Sequence, residues 1–288
     1  MKKTVCFIAS LLLLLPLALS ACAPSVPSVT ETEPPASASA PSATEELAAT
    51  EEPAATEEPA AVEDSAVFSD DGKIPYGDRL EIDGAAGVER EADVQGSPYY
   101  KHPDFYAMKS GGTLTILEGF KTIQQATEWT CGPTAALMVL EWYGKREDRN
   151  EMDLVALRGK DEPGATNLRQ MMNIFEGLGG WDLYSTYDLE DPTLVEAGMI
   201  LDLLQQGKPI LLGWDDWGGH WQVIIGYDTM GSDTTADDVL ILADPYDTTD
   251  HNQDGYYLLS FERLYYNWSN RFDPDFKANV FLVASPAE

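Results

Sequence analysis

From Ile210 onward the chain reads as a succession of strands. Ile210–Trp214 is a continuous apolar run, and His220–Tyr227, Val239–Ala243, Tyr256–Ser260 and Asn279–Ala284 follow it between short polar breaks. Apolar residues at consecutive positions describe strands covered on both faces. Ahead of them the pattern is helical. Thr134–Tyr143, Met152–Arg158, Asn167–Leu178 and Leu194–Gln206 carry helix formers or an apolar stripe, and Gly144, Gly179 and Gly207 stand just past three of the ends. One β-branched alternating stretch, Thr113–Leu117, precedes the helices as a lone strand. Helices first and mostly antiparallel strands after them give an α+β domain. About 180 residues are enough for one hydrophobic core.

The N-terminal part has no such capacity. Lys2 and Lys3 precede an apolar run from Val5 to Leu19, which ends in Leu19-Ser20-Ala21-Cys22. A basic start, a short apolar region and small residues form a secretory signal too short to span a bilayer. Its ending resembles the lipobox of bacterial lipoproteins, which implies cleavage before Cys22 and lipidation of that residue. From Ala23 to about Ser65 the chain is Ala, Pro, Ser, Thr and Glu, with TEEPAA repeated at Thr50 and Thr56. It offers no apolar face, so an extended tether is expected over 22–65. Residues 66–112 form a lead-in, partly ordered, with Tyr99, Tyr100, Phe105 and Tyr106 available for packing. The domain proper is expected over 113–288. This layout places the protein, as a monomer, on the outer face of a bacterial cell membrane, held only by the lipid on Cys22.

The formal net charge is −31. That argues against nucleic acid as a partner, which needs a basic surface, and against lipid contact beyond the anchor. Cys6 lies inside the signal and Cys22 at the anchor, so Cys131 is an unpaired thiol in an exported protein.

Cys131 sits in QATEWTCGPTAALMVLEWYG, Gln125–Gly144. Pro133 suits a first helical turn, so Cys131 is expected at the start of a buried helix. There the positive end of the helix dipole favours a thiolate, the nucleophilic form. A thiolate needs a base, and histidine fits at neutral pH. Three histidines are available. His102 reads as surface structure and His251 as part of a turn. His220, after Gly218-Gly219 and opening an apolar strand, is the candidate base. Asp244 closes the next strand, and a hairpin register that sets it opposite His220 makes it the candidate for orienting the imidazole; Asp228 is a weaker rival. The Cys131 N–H and the amide of Gln125, six residues earlier, are candidate oxyanion donors, with Gln124 beside it. Trp129, Trp214, Trp217 and Trp221 gather around these positions in sequence and suit either a cleft or a core.

Four features in one order resemble the papain-like cysteine peptidases, and most closely the bacteriocin-processing type, cysteine peptidase family thirty-nine. They are the Gln125-to-Cys131 spacing, the Cys131-Gly132-Pro133 opening, GGHW before an apolar strand, and Asp244-Pro245 after the next strand. The resemblance covers about Thr113 to Ala284. It implies a papain-like fold, a peptide or protein substrate, no metal or cofactor, and four roles. Cys131 is the nucleophile, His220 the general base and acid, Asp244 the orienting residue and Gln125 the oxyanion donor. Thr130 stands where many leader-processing members carry Asp, and no exporter domain is attached, so a double-glycine leader is not implied. A peptide-binding module and an acyl transferase on the same fold are the alternatives. Asp250-His251-Asn252-Gln253-Asp254-Gly255 resembles the opening of a calcium loop, but its twelfth position is Phe261 and Glu262 comes one residue late. A polar turn leading into the next strand is expected there.

Overall fold

The computed structural model describes residues 72–75, 83–87, 99, 103–160, 163–191, 195–247, 252–269, 271 and 273–288. The chain divides into two compact units, Met1–Glu63 and Asp64–Glu288, and every described residue belongs to the second. The signal segment, Cys22, the tether, His102, Asp250 and His251 lie outside the described residues, as does the side chain of Trp217.

Among the described residues, seven strands form one antiparallel sheet. They are β1 (Leu114–Ile116), β2 (Trp181–Ser185), β3 (Ile210–Trp214), β4 (His220–Asp228), β5 (Val239–Ala243), β6 (Tyr256–Ser260) and β7 (Val280–Pro286). The order is β2-β7-β3-β4-β5-β6, with β1 pairing with β4 beyond the end of β3. All of β3 and all of β4 but its last residue are buried. Both faces of these central strands are therefore covered, as their unbroken apolar runs require. The α-helices are α1 (Cys131–Trp142), α2 (Glu151–Leu157), α3 (Leu168–Leu178), α4 (Ala197–Gln205) and α5 (Phe261–Asn267).

The anchor of the helical part is α1, in which every residue from Cys131 to Leu140 is buried. It packs on β4, α2 and α3. A helix apolar all round belongs in a core, and each fully buried Leu or Met there contributes about 1.5–3 kcal/mol of transfer free energy. The two shorter neighbours start on side-chain caps. In α2 the Asn150 side chain accepts from Met152 N at 2.9 Å, while Asp153 accepts from Asn150 N at 2.8 Å. In α3 Asn167 accepts from Gln170 N at 2.9 Å and Gln170 returns the bond at 3.0 Å. These reciprocal pairs satisfy the first free N–H groups and fix where each helix begins.

The sequence reading and the structure differ in places. Strand β2 and helix α5 were not expected. In β2 the exposed and partly buried positions blur the alternation, as befits the edge of a sheet. Helix α4 begins at Ala197 rather than Leu194. The hairpin register also differs. Val223 pairs with Ala243, so Asp244, the next residue, stands beside Gln222 rather than directly opposite His220. A bulge in β4 between Ile224 and Gly226 sets this register. Without it Asp244 would fall beside Val223, on the other face from His220. The turn before β6 is a tight one: Gly255 has φ +82°, and a Cβ on it would lie 2.6 Å from Thr122.

Candidate active site

The loop ahead of α1 is set by a buried carboxylate. Glu151, at the start of α2, accepts from Ala126 N at 3.1 Å and from the hydroxyls of Thr130 and Thr134, the latter at 2.9 Å. Burial pushes the Glu151 carboxyl above the usual range, and the Thr130, Ala126 and Thr134 donors act against that. Because the Thr130 hydroxyl is turned to Glu151, α1 has no side-chain N-cap. Pro133 has no N–H, so the N–H groups of Cys131 and Gly132 open the helix uncapped by any side chain. A Cβ on Gly132 would lie 2.9 Å from Thr166 Cβ, which is why the residue after Cys131 has none. The 163–167 segment can then close on the start of α1.

The sheet carries the other arm. His220 opens β4, paired with Trp214 of β3. Its Nε2 lies 2.7 Å from Asp244 Oδ1. Nε2 faces the carboxylate, which leaves Nδ1 as the ring nitrogen available to the thiol of Cys131, a residue of the same cleft. Asp244 is 0 % exposed. Its Oδ1 also accepts from Tyr246 N at 2.8 Å, and its Oδ2 accepts from Gln222 Nε2 at 2.7 Å. Gln222 is held in turn by Trp214 Nε1, which donates to its Oε1 at 2.8 Å. Burial alone would lower the pKa of His220, but the charge and hydrogen bond of Asp244, helped by Cys131, outweigh it and push the imidazole up to about 10. For Asp244 the burial effect is upward, and the His220 charge with the His220, Tyr246 and Gln222 donors holds it below the usual carboxylate range.

Cys131, His220 and Asp244 are thus brought together, and Asp228 is not, being at the far end of β4 where it accepts from Met230 N at 2.8 Å. Cys131 and His220 both line a cleft of about 280 Å³, with Thr166, Gly219, Trp221 and Lys160 among its walls. Trp221 lines the cleft and donates to Thr166 O at 2.7 Å, whereas Trp214 does not line it. Gln125 is buried, and its Nε2 donates to Thr127 O at 2.7 Å while its Oε1 accepts no hydrogen bond from the described residues. Its backbone N–H donates to Pro245 O at 2.7 Å, joining the loop before α1 to the Asp244 turn. Gln124 makes the same junction with its side chain, donating to Asp244 O at 3.0 Å and accepting from Asp247 N at 2.9 Å.

Glu151, Gln124 and Gln222 were not assigned roles from sequence. Gln222 carries a detectable signal: it is a polar residue inside an apolar strand, two positions after His220 and so on the same face. Glu151 carries none, since an acid in a first helical turn ordinarily faces solvent.

The family model described as Peptidase_C39 like family matches residues 117–271, more than half of the chain. The chain belongs to this family. It is accordingly a cysteine peptidase, a hydrolase acting on peptides or proteins, and its α+β architecture is papain-like. Among solved structures it is similar to the peptidase domain of Streptococcus ComA, a bi-functional ABC transporter involved in a quorum sensing pathway. The identity is 19%, the TM-score 0.39, and the match covers 58% of this chain and 98% of that one. No curated protein matches it.

Proposed function

We propose that the protein is a lipid-anchored peptidase on the extracellular face of the bacterial cell membrane, cleaving a peptide-type bond through a thioester on Cys131. The observation that carries the chemistry is the His220 ring, gripped by Asp244 through Nε2 at 2.7 Å and lining one cleft with Cys131, so that its other nitrogen is left for the thiol. The Cys131 thiolate attacks the substrate carbonyl carbon, and the oxygen takes up negative charge. The Cys131 N–H and Gln125 are the donors to that oxygen; the Gln125 amide has a second N–H besides the one on Thr127 O. The carbonyl re-forms, the C–N bond breaks, and His220 gives its proton to the leaving amine. His220 then takes a proton from water, which attacks the thioester and releases a carboxylic acid and the Cys131 thiol group. Asp244 holds the ring in one tautomer and stabilises the imidazolium throughout. The anchoring part of the reading is supported by the Leu19-Ser20-Ala21-Cys22 ending and by the Ala-, Pro-, Ser-, Thr- and Glu-rich sequence that follows it.

A peptidyl electrophile tests the site. Incubation and mass mapping should place the label on Cys131, and Gln125→Ala should slow labelling by a peptidyl carbonyl reagent, and turnover, by roughly a hundredfold. Labelling spread over other residues, or none at Cys131, would remove the nucleophile from this reading. Metabolic labelling of intact cells with an alkyne fatty acid tests the anchor: label retained by Cys22→Ala would refute it.

A further inference from the structure

Arg158 follows α2 and is the largest of the fully buried side chains among the described residues, at 0 % exposure. Its Nη1 donates to Gly164 O at 2.7 Å and to Thr166 Oγ1 at 3.1 Å, and its guanidinium lies over the Trp129 ring, 4.8 Å from the centroid. These partners surround the nucleophile. Trp129 is two residues ahead of Cys131, Thr166 abuts Gly132 and lines the cleft, and Gly164 leads into Thr166 through Ala165, another residue of the cleft wall. Burial pulls the Arg158 pKa down, and the Cys131 side chain acts in the opposite direction. A guanidinium holds its charge when buried, and its planar fork suits several acceptors at once.

From this arrangement we infer that Arg158 is a positioning residue that favours the Cys131 thiolate while clamping the cleft wall against the start of α1. The inference rests on Cys131 being the nucleophile. It assigns a catalytic purpose to a buried charge that the Cys131-His220-Asp244 set does not include. A cation held in a low-dielectric site beside the start of α1 stabilises an anion there more than a surface charge could. Its fork fixes the sulfur's surroundings from two directions, through Trp129 before the helix and Thr166 across from it.

The test separates charge from packing. Wild-type protein, Arg158→Lys, Arg158→Met and Arg158→Gln are alkylated with iodoacetamide from pH 5 to 9, the Cys131 rate is followed by mass mapping, and thermal unfolding reports the fold. Loss of the charge should slow alkylation at pH 6 by about tenfold or more in the Met and Gln variants, with recovery to within about twofold at pH 9. The Lys variant should keep most of the rate at pH 6, even though it melts earlier. An equal loss at every pH in all three variants, or unchanged rates in the neutral ones, would overturn the inference. If neither neutral variant folds, Arg158→Lys decides alone: a pH profile parallel to wild type supports the inference, and a folded Lys variant with its profile displaced to high pH overturns it. Wild-type Cys131 alkylated no faster at pH 6 than a free thiol would instead count against the thiolate nucleophile itself, a result distinct from any difference among the variants.

Discussion

The two arms of the site are built on different principles. On the sheet, His220, Asp244, Gln222 and Trp214 form a chain of side-chain hydrogen bonds between 2.7 and 2.8 Å, ending in the apolar core. Each group orients the next, and the strands supply little more than spacing. On the helix, Cys131 is placed by backbone: by the uncapped start of α1, by Gly132, and by the loop that Glu151 gathers from Ala126 to Thr134. Its buried charges, Glu151 and Arg158, grip main chain, hydroxyls and a ring face. In the proposed mechanism the base must hold a tautomer, which takes directional bonds. The proposed nucleophile must hold a place and a charge, which takes a stiff turn and a field.

Removing each arm's reacting group should give the largest effect. Cys131→Ala should abolish turnover and leave unfolding close to wild type, since the thiol is small and the rest of the helix, buried through Leu140, holds its place. A melting temperature far below wild type would mean that the thiol also anchors the helix, and would blur the contrast between the arms. His220→Ala should abolish turnover as well, but should also destabilise the fold by about 1–3 kcal/mol, because buried Asp244 loses its main partner.

The next effect is on pH. Asp244 is what holds the imidazolium, with the His220 pKa raised to about 10 from 6.5. A raised folded-state value means that the stability due to this charge is complete below about 6.5 and lost as pH climbs through about 10. The alkaline limb of activity should therefore fall near pH 10 in wild type. In Asp244→Ala it should move down by at least about two pH units, since burial alone acts against the charged ring. Urea unfolding at pH 7 and pH 10 should show wild type losing stability across that interval and the variant nearly flat. Asp244→Asn should sit between the two, because an amide oxygen still accepts from the ring. If the limb stays put in Asp244→Ala, the sheet arm does not set the charge state of the base.

The same division governs what could be read from the chain. Cys131, His220 and Asp244 were legible because each stands at an element boundary that sequence marks: Pro133 for a helix start, Gly218-Gly219 for a strand start, Pro245 for a strand end. The α+β order was legible from the change of periodicity at Ile210. The supports were not. Glu151 and Arg158 look like ordinary ends of a short surface helix, and only the tertiary fold turns them inward. The bulge in β4 has no mark in HWQVIIGYD, yet it decides which face of the hairpin Asp244 shares. The expected direct pairing with His220 is replaced by a diagonal one, with Gln222 as the true neighbour across the strands. The short edge strand β2 and helix α5 escaped for lack of a clear apolar rhythm.

The smallest predicted effect is at Gln222, and it is the sharpest probe of the comparison. Gln222 does not line the cleft; its amide joins Asp244 Oδ2 to Trp214 Nε1. Gln222→Leu keeps most of the volume and removes both bonds. It leaves a buried indole N–H and one carboxylate oxygen short of partners, at a cost of about 1–3 kcal/mol in stability. Asp244 keeps His220 and Tyr246 N on its other oxygen, so the carboxylate should tilt rather than leave. Turnover should drop by about tenfold through kcat, as outer supports of a site residue commonly do. Alkylation of Cys131 by iodoacetamide at pH 6 should stay within about threefold of wild type, since the helix arm is intact. A loss of alkylation as large as that in Arg158→Met would show that the two arms are one network, and the contrast between directional bonds and a fixed field would have to be given up.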